Sequence, residues 1–336
     1  MARAERMRAR QEGRAPRHLR DIDYVLGVSD LTRQGALRFA VTEGGEFLAP
    51  PEKAAVPPLV ELPKLMAAAH GFLDDPDSET DLRILLAPGS SLGGARPKAS
   101  VMDHDGRPSL AKFPKKDDLY SVGAWEHLAL GLARDAGIRT AESELLPIDG
   151  QDVILLPRFD RQGSTRIPFL SAMSLLDGVD QEARSYLDIG EVIRRFGSSP
   201  RSDLREIWRR MAFNVLISNT DDHLRNHGFL YAGMGGWTLS PAYDINPVPA
   251  QIKPRFLSTA IGENPEDTSA SLALALEVAE YFDMEATEAR DVASEVAEVT
   301  RQWADRARAT GIRGSEIDLM ASAFEHDDLS LALNSS

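Results

Sequence analysis

The sequence predicts an α+β protein with two lobes, a mixed β/α N-terminal lobe and a mostly helical C-terminal lobe. A chain of 336 residues with 43% hydrophobic residues can bury one large core or two modest ones, so two lobes are the default expectation. Roughly the first 155 residues alternate short extended runs with one helix, whereas the rest has mostly helical periodicity. We therefore predict a basic, flexible arm at 1–22, an N-terminal lobe at 23–156 and a C-terminal lobe at 157–336.

Extended runs separated by turns are the main pattern of the N-terminal lobe. Five prolines between Phe47 and Pro63 exclude regular helix and predict a rigid, irregular segment. An Asp-Gly turn at 105–106 favours a hairpin, and Gly137 is placed to end a helix. The predicted elements are a buried strand Arg83–Leu86, a hairpin of Lys98–Met102 with Ser109–Phe113, a helix from Val122 to Gly137 and a strand Asp152–Leu156.

Helical periodicity dominates the C-terminal lobe. Asp203 with Glu206 three residues later is a helix start signal, and apolar residues at helical spacing carry this helix into Ser218. A second helix is predicted through Ala289–Trp303, and a shorter one through Ser315–Phe324 precedes an acidic tail.

Charge and composition narrow the function classes. Residues 1–20 hold seven arginines against two glutamates, a net +5, which leaves −19 on the rest of a chain whose total is −14. Such a body repels nucleic acid, so no direct nucleic-acid binding is expected outside the arm. The absence of cysteine excludes disulfides and fits a reducing compartment. No apolar run is long enough for a membrane span, and we expect a cytoplasmic protein.

Three polar residues in the C-terminal lobe form the polar set of a phosphoryl-transfer site. Asp221 and Asn226 are separated by four residues, and Asp244 follows eighteen residues after Asn226. One carboxylate can accept a proton from an attacking hydroxyl, while an amide oxygen and a second carboxylate can hold Mg²⁺ against ATP phosphates. A loop capped by Asx and threonine side chains is the alternative explanation.

The N-terminal lobe offers candidates for phosphate binding. Gly89–Gly94 can bring backbone amides close to phosphate oxygens, although a plain turn has the same composition. Lys112 lies in an apolar strand, where a charge needs a partner, and Glu126 on the following helix is a candidate for that partner. A lysine held by a helix glutamate is the arrangement of kinase small lobes; an edge-strand lysine that reaches water is the alternative.

A second chemistry uses histidines. His223 and His227 stand four apart, and on a helix they would share one face as metal ligands. With Asp221 and Asp244 they would form a hydrolytic metal site. Asn226 and Gly228 weaken the helix that this alternative needs.

From Tyr24 to Phe324 the chain resembles the HipA family of serine/threonine kinase toxins. The stretches that carry the resemblance are Leu26–Phe39, Ser91–Lys98, Ala111–Pro114, Arg158–Arg161, Asn219–Asn226 and Ala242–Pro247. The resemblance implies a two-lobed protein-kinase-like fold with ATP and Mg²⁺ as cofactors.

The resemblance also implies a role for individual residues. Asp221 matches the catalytic aspartate, Asn226 and Asp244 match the magnesium ligands, Glu126 supports Lys112, and Ser91 matches a serine that family members autophosphorylate. The residues implied in nucleotide binding are Gly93, Gly94, Ala95, Arg96, Pro97, Lys98, Lys112, Pro157, Arg158, Phe159, His223, Leu224, Arg225, Asn226, Tyr243 and Asp244.

Family membership implies a DNA-binding HipB-like antitoxin as partner and a translation protein, such as an aminoacyl-tRNA synthetase, as substrate. Two departures stand out. Pro157 occupies a position that is often glutamate in the family, and the chain lacks part of the N-terminal β-subdomain of long members. These departures keep open an alternative, a catalytically weak kinase fold that acts as a corepressor.

Overall fold

The computed structural model describes residues 2–48, 56–75, 78–86, 90–91 and 96–334. These residues divide into two compact units, one made of 1–119 with 144–167 and the other of 120–143 with 168–336. The helices are α1 (Ala2–Gln11), α2 (Asp21–Gly27), α3 (Leu62–Asp74), α4 (Glu79–Leu86), α5 (Val122–Asp135), α6 (Ala172–Leu175), α7 (Tyr186–Phe196), α8 (Pro200–Leu216), α9 (Leu272–Glu277), α10 (Ala286–Thr300), α11 (Trp303–Ala309), α12 (Gly314–Phe324) and α13 (Asp327–Leu333). The strands are β1 (Ser90–Ser91), β2 (Lys98–Met102), β3 (Pro108–Lys112), β4 (Glu144–Ile148), β5 (Gln151–Pro157), β6 (Arg161–Gln162), β7 (Thr165–Arg166), β8 (Phe169–Ser171), β9 (Gly228–Tyr231) and β10 (Trp237–Leu239).

The first unit is built on an antiparallel five-stranded sheet in the order β1-β2-β3-β5-β4. The predicted hairpin is confirmed as β2 and β3, in which Gly106 has a φ of 74° that favours glycine. Helix α3 begins at Leu62, inside the proline-rich segment, because Pro63 lies in its first turn, where a backbone amide hydrogen is not needed. The prediction that the prolines exclude regular helix as far as Pro63 is therefore wrong for the last two residues. The apolar face of α3, including Leu65 and Phe72, packs against the sheet residues Val101 and Val153. Residues 49–55 of that segment lie outside the described residues.

Two predictions for this unit need comment. The strand predicted at Arg83–Leu86 is wrong, because these residues form the last half of helix α4, whose Leu85 enters the core. The three apolar residues Ile84–Leu86 are too few to show a period that distinguishes a strand from a buried helix turn. Within the predicted arm, Ala2–Gln11 form α1, and its Met7 packs against the same core.

The second unit is mostly helical around the long, buried helix α8, as predicted from the Asp203–Ser218 periodicity. A small antiparallel sheet, β10-β9-β8, lies in the same unit. Trp125 of α5 packs near Trp303 and Phe324, whose rings stack at 4.7 Å between centroids. Within the described residues no helix has both the length and the apolar character needed to cross a membrane.

The acidic tail contains helix α13, which begins with a histidine cap. His326 Nδ1 accepts a hydrogen bond from the Leu329 amide, and Nε2 lies 3.1 Å from the Leu216 carbonyl oxygen. Burial, reinforced by the charge of Arg255, lowers the pKa of His326 to about 4. Protonation would also cost the cap, because Nδ1 would then become a donor.

We expect this histidine to make folding stability depend on pH. Its pKa is lower in the folded chain than in the unfolded chain, where it is about 6.5, so protons bind preferentially to the unfolded state between these values. Stability should therefore be fully present above pH 6.5 and fall by about 2 to 3 kcal/mol as the pH drops towards 4. His326→Asn keeps a capping side chain without the titration. Urea unfolding between pH 7.5 and 4 should show that the free energy of unfolding falls less for this variant than for the wild type as the pH is lowered. Equal falls for the two proteins would contradict the assignment.

Candidate active site

The segment that carries Asp221 leaves the buried end of helix α8 through a tight turn. Ser218 has a φ of 54°, the left-handed conformation, and its hydroxyl donates to the carbonyl oxygen of Ala323 at 2.8 Å. Arg255 Nε donates to the same hydroxyl at 2.9 Å. These contacts fix the direction in which residues 219–227, here called the catalytic loop, leave the helix.

Asp221 is exposed while most of the loop around it is buried. Its carboxylate accepts no hydrogen bond from the described residues, whereas its backbone oxygen accepts one from Asn226 Nδ2 at 3.0 Å. With its amide nitrogen engaged in this way, Asn226 has its side-chain oxygen left to bind a ligand. The predicted pair is thus brought together by one side-chain bond, with the Asp221 carboxylate accessible as a base.

A buried polar network lies beneath the loop. Tyr186 of α7 donates its hydroxyl to Asp222, and Asn214 Nδ2 of α8 donates to that hydroxyl at 3.0 Å. His227 Nε2 lies 3.1 Å from Asp222 Oδ1 but forms no hydrogen bond with it. Burial and the neighbouring Asp222 carboxylate raise the pKa of Tyr186 well above its ordinary value, so Tyr186 remains a neutral donor.

The segment that carries Asp244 is fastened to the catalytic loop. Asp244 has a φ of 58°, and its Oδ1 accepts a hydrogen bond from Asn246 Nδ2 at 3.2 Å. The backbone amide of Asn246 donates to Asn219 Oδ1 at 3.4 Å, and the Tyr243 hydroxyl donates to the Arg225 carbonyl oxygen at 2.6 Å. Both predicted magnesium ligands therefore lie on backbone segments of one unit that are held by hydrogen bonds to each other.

A cavity of about 10 Å³ separates the loop from the core and is lined by residues that include Asn226, His227 and Tyr243. This volume is about the space that one water molecule needs. Burial, together with the nearby Asp244 charge, raises the pKa of Tyr243. The cavity is too small to hold a nucleotide.

Gly228 ends the loop at a position where a side chain does not fit. A Cβ atom there would lie 2.5 Å from the Phe169 ring and 2.6 Å from Ser240 Oγ. The close approach lets β9 pair with β8 immediately after His227. His223 and His227 thus lie in an irregular loop rather than on one helix face, and the described residues contain no group of three His, Cys, Asp or Glu side chains placed to hold a metal ion.

The other loop residues predicted to contact nucleotide differ in accessibility. His223 is half-buried, Leu224 is buried, and Arg225 is exposed and forms an ion pair with Asp180. Of these three, His223 and Arg225 present polar groups near the surface of the loop.

In the first unit, two lysines face each other across a strand pair. Lys98 of β2 and Lys112 of β3 are directly opposite in the register, and both are half-buried. Directly opposed side chains share one face of a sheet, so the strand pair places two positive charges on the same face.

The neighbouring loop residues have different environments. Arg96 forms a two-pronged ion pair with Asp118 at 2.6 and 2.8 Å, and the Pro97 carbonyl accepts the Phe113 amide. Gly93, Gly94 and Ala95 lie outside the described residues. Ser91 of β1 is opposite Lys98 of β2 in the sheet register, and Lys98 is one of the two opposed lysines. Glu126 is almost fully buried on α5, in the second unit.

Pro157 ends strand β5, and the two residues after it are drawn into the first unit. The Arg158 amide donates to the Pro108 carbonyl at 3.0 Å, and its guanidinium donates to Asp160 and to the Thr32 carbonyl. Phe159 is half-buried. The first backbone donor after the proline is therefore already engaged and has no hydrogen left for an adenine ring.

Asp160 is the centre of a cluster that the sequence did not single out. It accepts hydrogen bonds from Arg158, from Arg161 and from the Gly35 amide at 2.7 Å. Burial alone would raise the pKa of Asp160, but these donors and charges outweigh it and hold the pKa below its usual range. The cluster anchors the segment around residues 32–35 to the end of β5.

Tyr186 and Asn214 also escaped the sequence analysis. Asn214 had a detectable signal, because it interrupts the apolar run Met211–Leu216 of α8 close to the loop. Tyr186 had none, since 36 residues separate it from Asp222 and only the tertiary fold brings them together.

A family model described as the HipA-like C-terminal domain matches residues 90–304, well over half of the chain. The chain belongs to this family. Among solved structures, it is similar to HipA in a Shewanella oneidensis complex of HipA, HipB and operator DNA, with a TM-score of 0.60, 15% identity, and coverage of 86% of this chain and 74% of that one. It is also similar to the Helicobacter pylori proinflammatory kinase CtkA, with a TM-score of 0.56, 13% identity, and coverage of 73% and 93%.

Curated relatives bear kinase names. A Haemophilus influenzae protein named "Putative kinase" is 25% identical over 48% of this chain and 54% of its own length. The Sinorhizobium fredii protein named "Putative kinase Y4dM" is 29% identical over 40% of this chain and 36% of its own length. The chain thus spans about half or less of the length of these relatives. The structural likeness confirms the predicted α+β class and the kinase-like fold.

Proposed function

We propose that this HipA-like chain is an ATP- and Mg²⁺-dependent serine/threonine protein kinase. The observation that carries the proposal is the catalytic loop, in which Asp221 is exposed and Asn226 binds back to its carbonyl at 3.0 Å. Asp244 is fastened beside this loop through Asn246 and Asn219. A base, an amide oxygen and a carboxylate on one rigid support are what phosphoryl transfer needs from the larger lobe.

Each residue has a distinct task in this reaction. Asp221 orients the substrate hydroxyl and accepts its proton, while Lys98 and Lys112 bind phosphate oxygens. The side-chain oxygens of Asn226 and Asp244 are hard ligands that fit Mg²⁺, because the Asn226 amide nitrogen is already engaged and its oxygen is left for a cation. Magnesium, when bound, neutralises charge on the phosphates.

Biological partners follow from the family and form the finer part of the proposal. We infer a HipB-like, DNA-binding antitoxin as partner, as in the Shewanella oneidensis complex, and a translation-related protein as substrate, such as an aminoacyl-tRNA synthetase. Ser91 would accept a phosphoryl group from the same protein, in the cytoplasm. The position of Ser91 opposite Lys98 supports this assignment, because both residues would lie close to the phosphates.

A second candidate is a catalytically weak kinase fold that serves as a corepressor. It is favoured by one observation, the missing amide hydrogen at Pro157 together with the engaged amide of Arg158. Fewer backbone donors for adenine would weaken ATP binding without affecting contacts to an antitoxin.

Transfer of labelled phosphate tests the proposal. We expect the purified chain to transfer the γ-phosphate of radiolabelled ATP to itself or to a lysate protein, with phosphoserine detected at Ser91 by mass spectrometry. Removal of Mg²⁺ with EDTA should abolish transfer, and Asp244→Asn should lower it by about 10²-fold at fixed Mg²⁺ because a charged metal ligand is lost. No transfer by the wild type in Mg²⁺ would refute the kinase. If Mg-ATP then still raised the melting temperature, the corepressor would be favoured.

A further inference from the structure

Lys253 is unusual in this chain. The protein uses 31 arginines and seven lysines, and Lys253 is the sole lysine among residues 117–336. It follows Asp244 by nine residues and lies on the segment that packs against the catalytic loop. Lysine differs from arginine in carrying a compact charge with three freely oriented donors, which suits contact with a group that changes position.

The ammonium group of Lys253 binds the backbone immediately before the base. Its Nζ donates to the carbonyl oxygen of Thr220, the residue before Asp221, at 2.9 Å. Ser258 Oγ already donates to the same carbonyl at 3.0 Å. The Thr220 carbonyl therefore has a hydrogen-bond donor even without the lysine. The additional bond from Lys253 holds a positive charge near the backbone of Asp221.

The charge of Lys253 has no carboxylate within 4.0 Å among the residues that the structure describes, although the chain carries a net charge of −14. Arg255, two residues later, contrasts with it, since its guanidinium binds Asp328, Ser218 and the Val215 carbonyl. Lys253 is exposed and has two further ammonium hydrogens. These hydrogens are available to an anionic ligand in front of the loop.

We propose that Lys253 is a catalytic residue that contacts the phosphoryl group during its transfer. The inference rests on the proposed kinase function. The acceptor oxygen bonds to the γ-phosphorus, the bond from that phosphorus to the β–γ bridging oxygen breaks, ADP leaves, and the hydroxyl proton passes to Asp221. Lys253 keeps its proton and donates a hydrogen bond to a non-bridging oxygen of the moving group. A cation at this point offsets the negative charge of the phosphoryl group, which the carboxylates of Asp221 and Asp244 would otherwise repel.

Kinetics of Lys253→Met and Lys253→Arg test this role. Methionine keeps the length but loses the charge, and we expect kcat to fall by about 10²-fold, with a much smaller rise in the ATP KM. Arginine should recover most of the rate. Lys64→Met, which removes an exposed lysine paired with Glu61, is the matched control and should behave as wild type. A Lys253→Met enzyme with wild-type kcat would overturn the inference.

Nucleotide binding decides the question without turnover. We expect Lys253→Met to bind a non-hydrolysable ATP analogue about tenfold more weakly in calorimetry, with ADP affinity unchanged, because one charged contact to the γ-phosphate is lost. Equal losses for both nucleotides, or no loss for either, would overturn the role of Lys253. A third outcome separates the two proposals. If the wild type transferred no phosphate, but Lys253→Met still weakened binding of the ATP analogue and not of ADP, the proposed kinase function would be refuted. The contact between Lys253 and the γ-phosphate would remain supported.

Discussion

Replacing Asp221 with asparagine is expected to lower the rate of phosphate transfer by about 10³-fold. The amide has nearly the same size as the carboxylate but cannot accept the proton of the substrate hydroxyl. Because the Asp221 carboxylate accepts no hydrogen bond from the described residues, the loop should keep its conformation. The affinity for Mg-ATP should therefore change by less than about threefold, and the loss should lie in kcat.

Single-turnover transfer and calorimetric titration together check this expectation. Asp318→Asn is a suitable control, because Asp318 is an exposed aspartate of α12 in the same unit. If Asp221→Asn retained a rate within about tenfold of wild type, general-base catalysis by this residue would be excluded. An equal fall in both variants would point to loss of structure instead.

Asp222→Ala is expected to cause the largest loss of stability. Asp222 is buried, accepts the Tyr186 hydroxyl and lies beside His227, and its backbone oxygen accepts Thr259 Oγ1 at 2.7 Å. Removing the carboxylate leaves buried polar groups without their acceptor, which typically costs about 3 to 5 kcal/mol for a buried charged partner. That is a large fraction of the stability of an ordinary domain.

Urea unfolding of the wild type and four variants measures this loss of stability and assigns it to the Asp222 carboxylate. Asp222→Asn keeps an acceptor oxygen and should lose less stability than Asp222→Ala. Combined with Tyr186→Phe in a double-mutant cycle, Asp222→Ala should show a coupling energy of about 1 to 3 kcal/mol, since each substitution removes the bond between the two side chains. A coupling near zero, or a loss for Asp222→Ala below about 1 kcal/mol, would show that the network does not hold the loop.

The sequence predicted the parts of the fold that have a clear local signal. The Asp-Gly turn identified the β2–β3 hairpin, and helical periodicity identified α5, α8 and α12. Helix α4 was mistaken for a strand because its three apolar residues at 84–86 are too few to show a helical period. Helix α13 was read as a tail, since its cap comes from a histidine that also needs the Leu216 carbonyl of another helix.

Local spacing also located the central residues of the candidate site. Asp221, Asn226 and Asp244 were found because their residue types and separations have few other uses beside apolar segments. Tyr186, Asp160 and Lys253 were missed, because each acts through contacts that bridge at least 30 residues of sequence, such as Tyr186 with Asp222, Asp160 with Gly35 and Lys253 with Thr220. Only the tertiary fold makes such pairs neighbours.

The solitary position of Lys253 also gives the protein a natural chemical handle. Amine-reactive reagents modify lysine side chains, so within residues 117–336 they can label the side chain of one residue alone. The mass of a single peptide then reports how accessible the front of the catalytic loop is. Protection of that peptide by nucleotide would map ligand occupancy without any substitution in the chain.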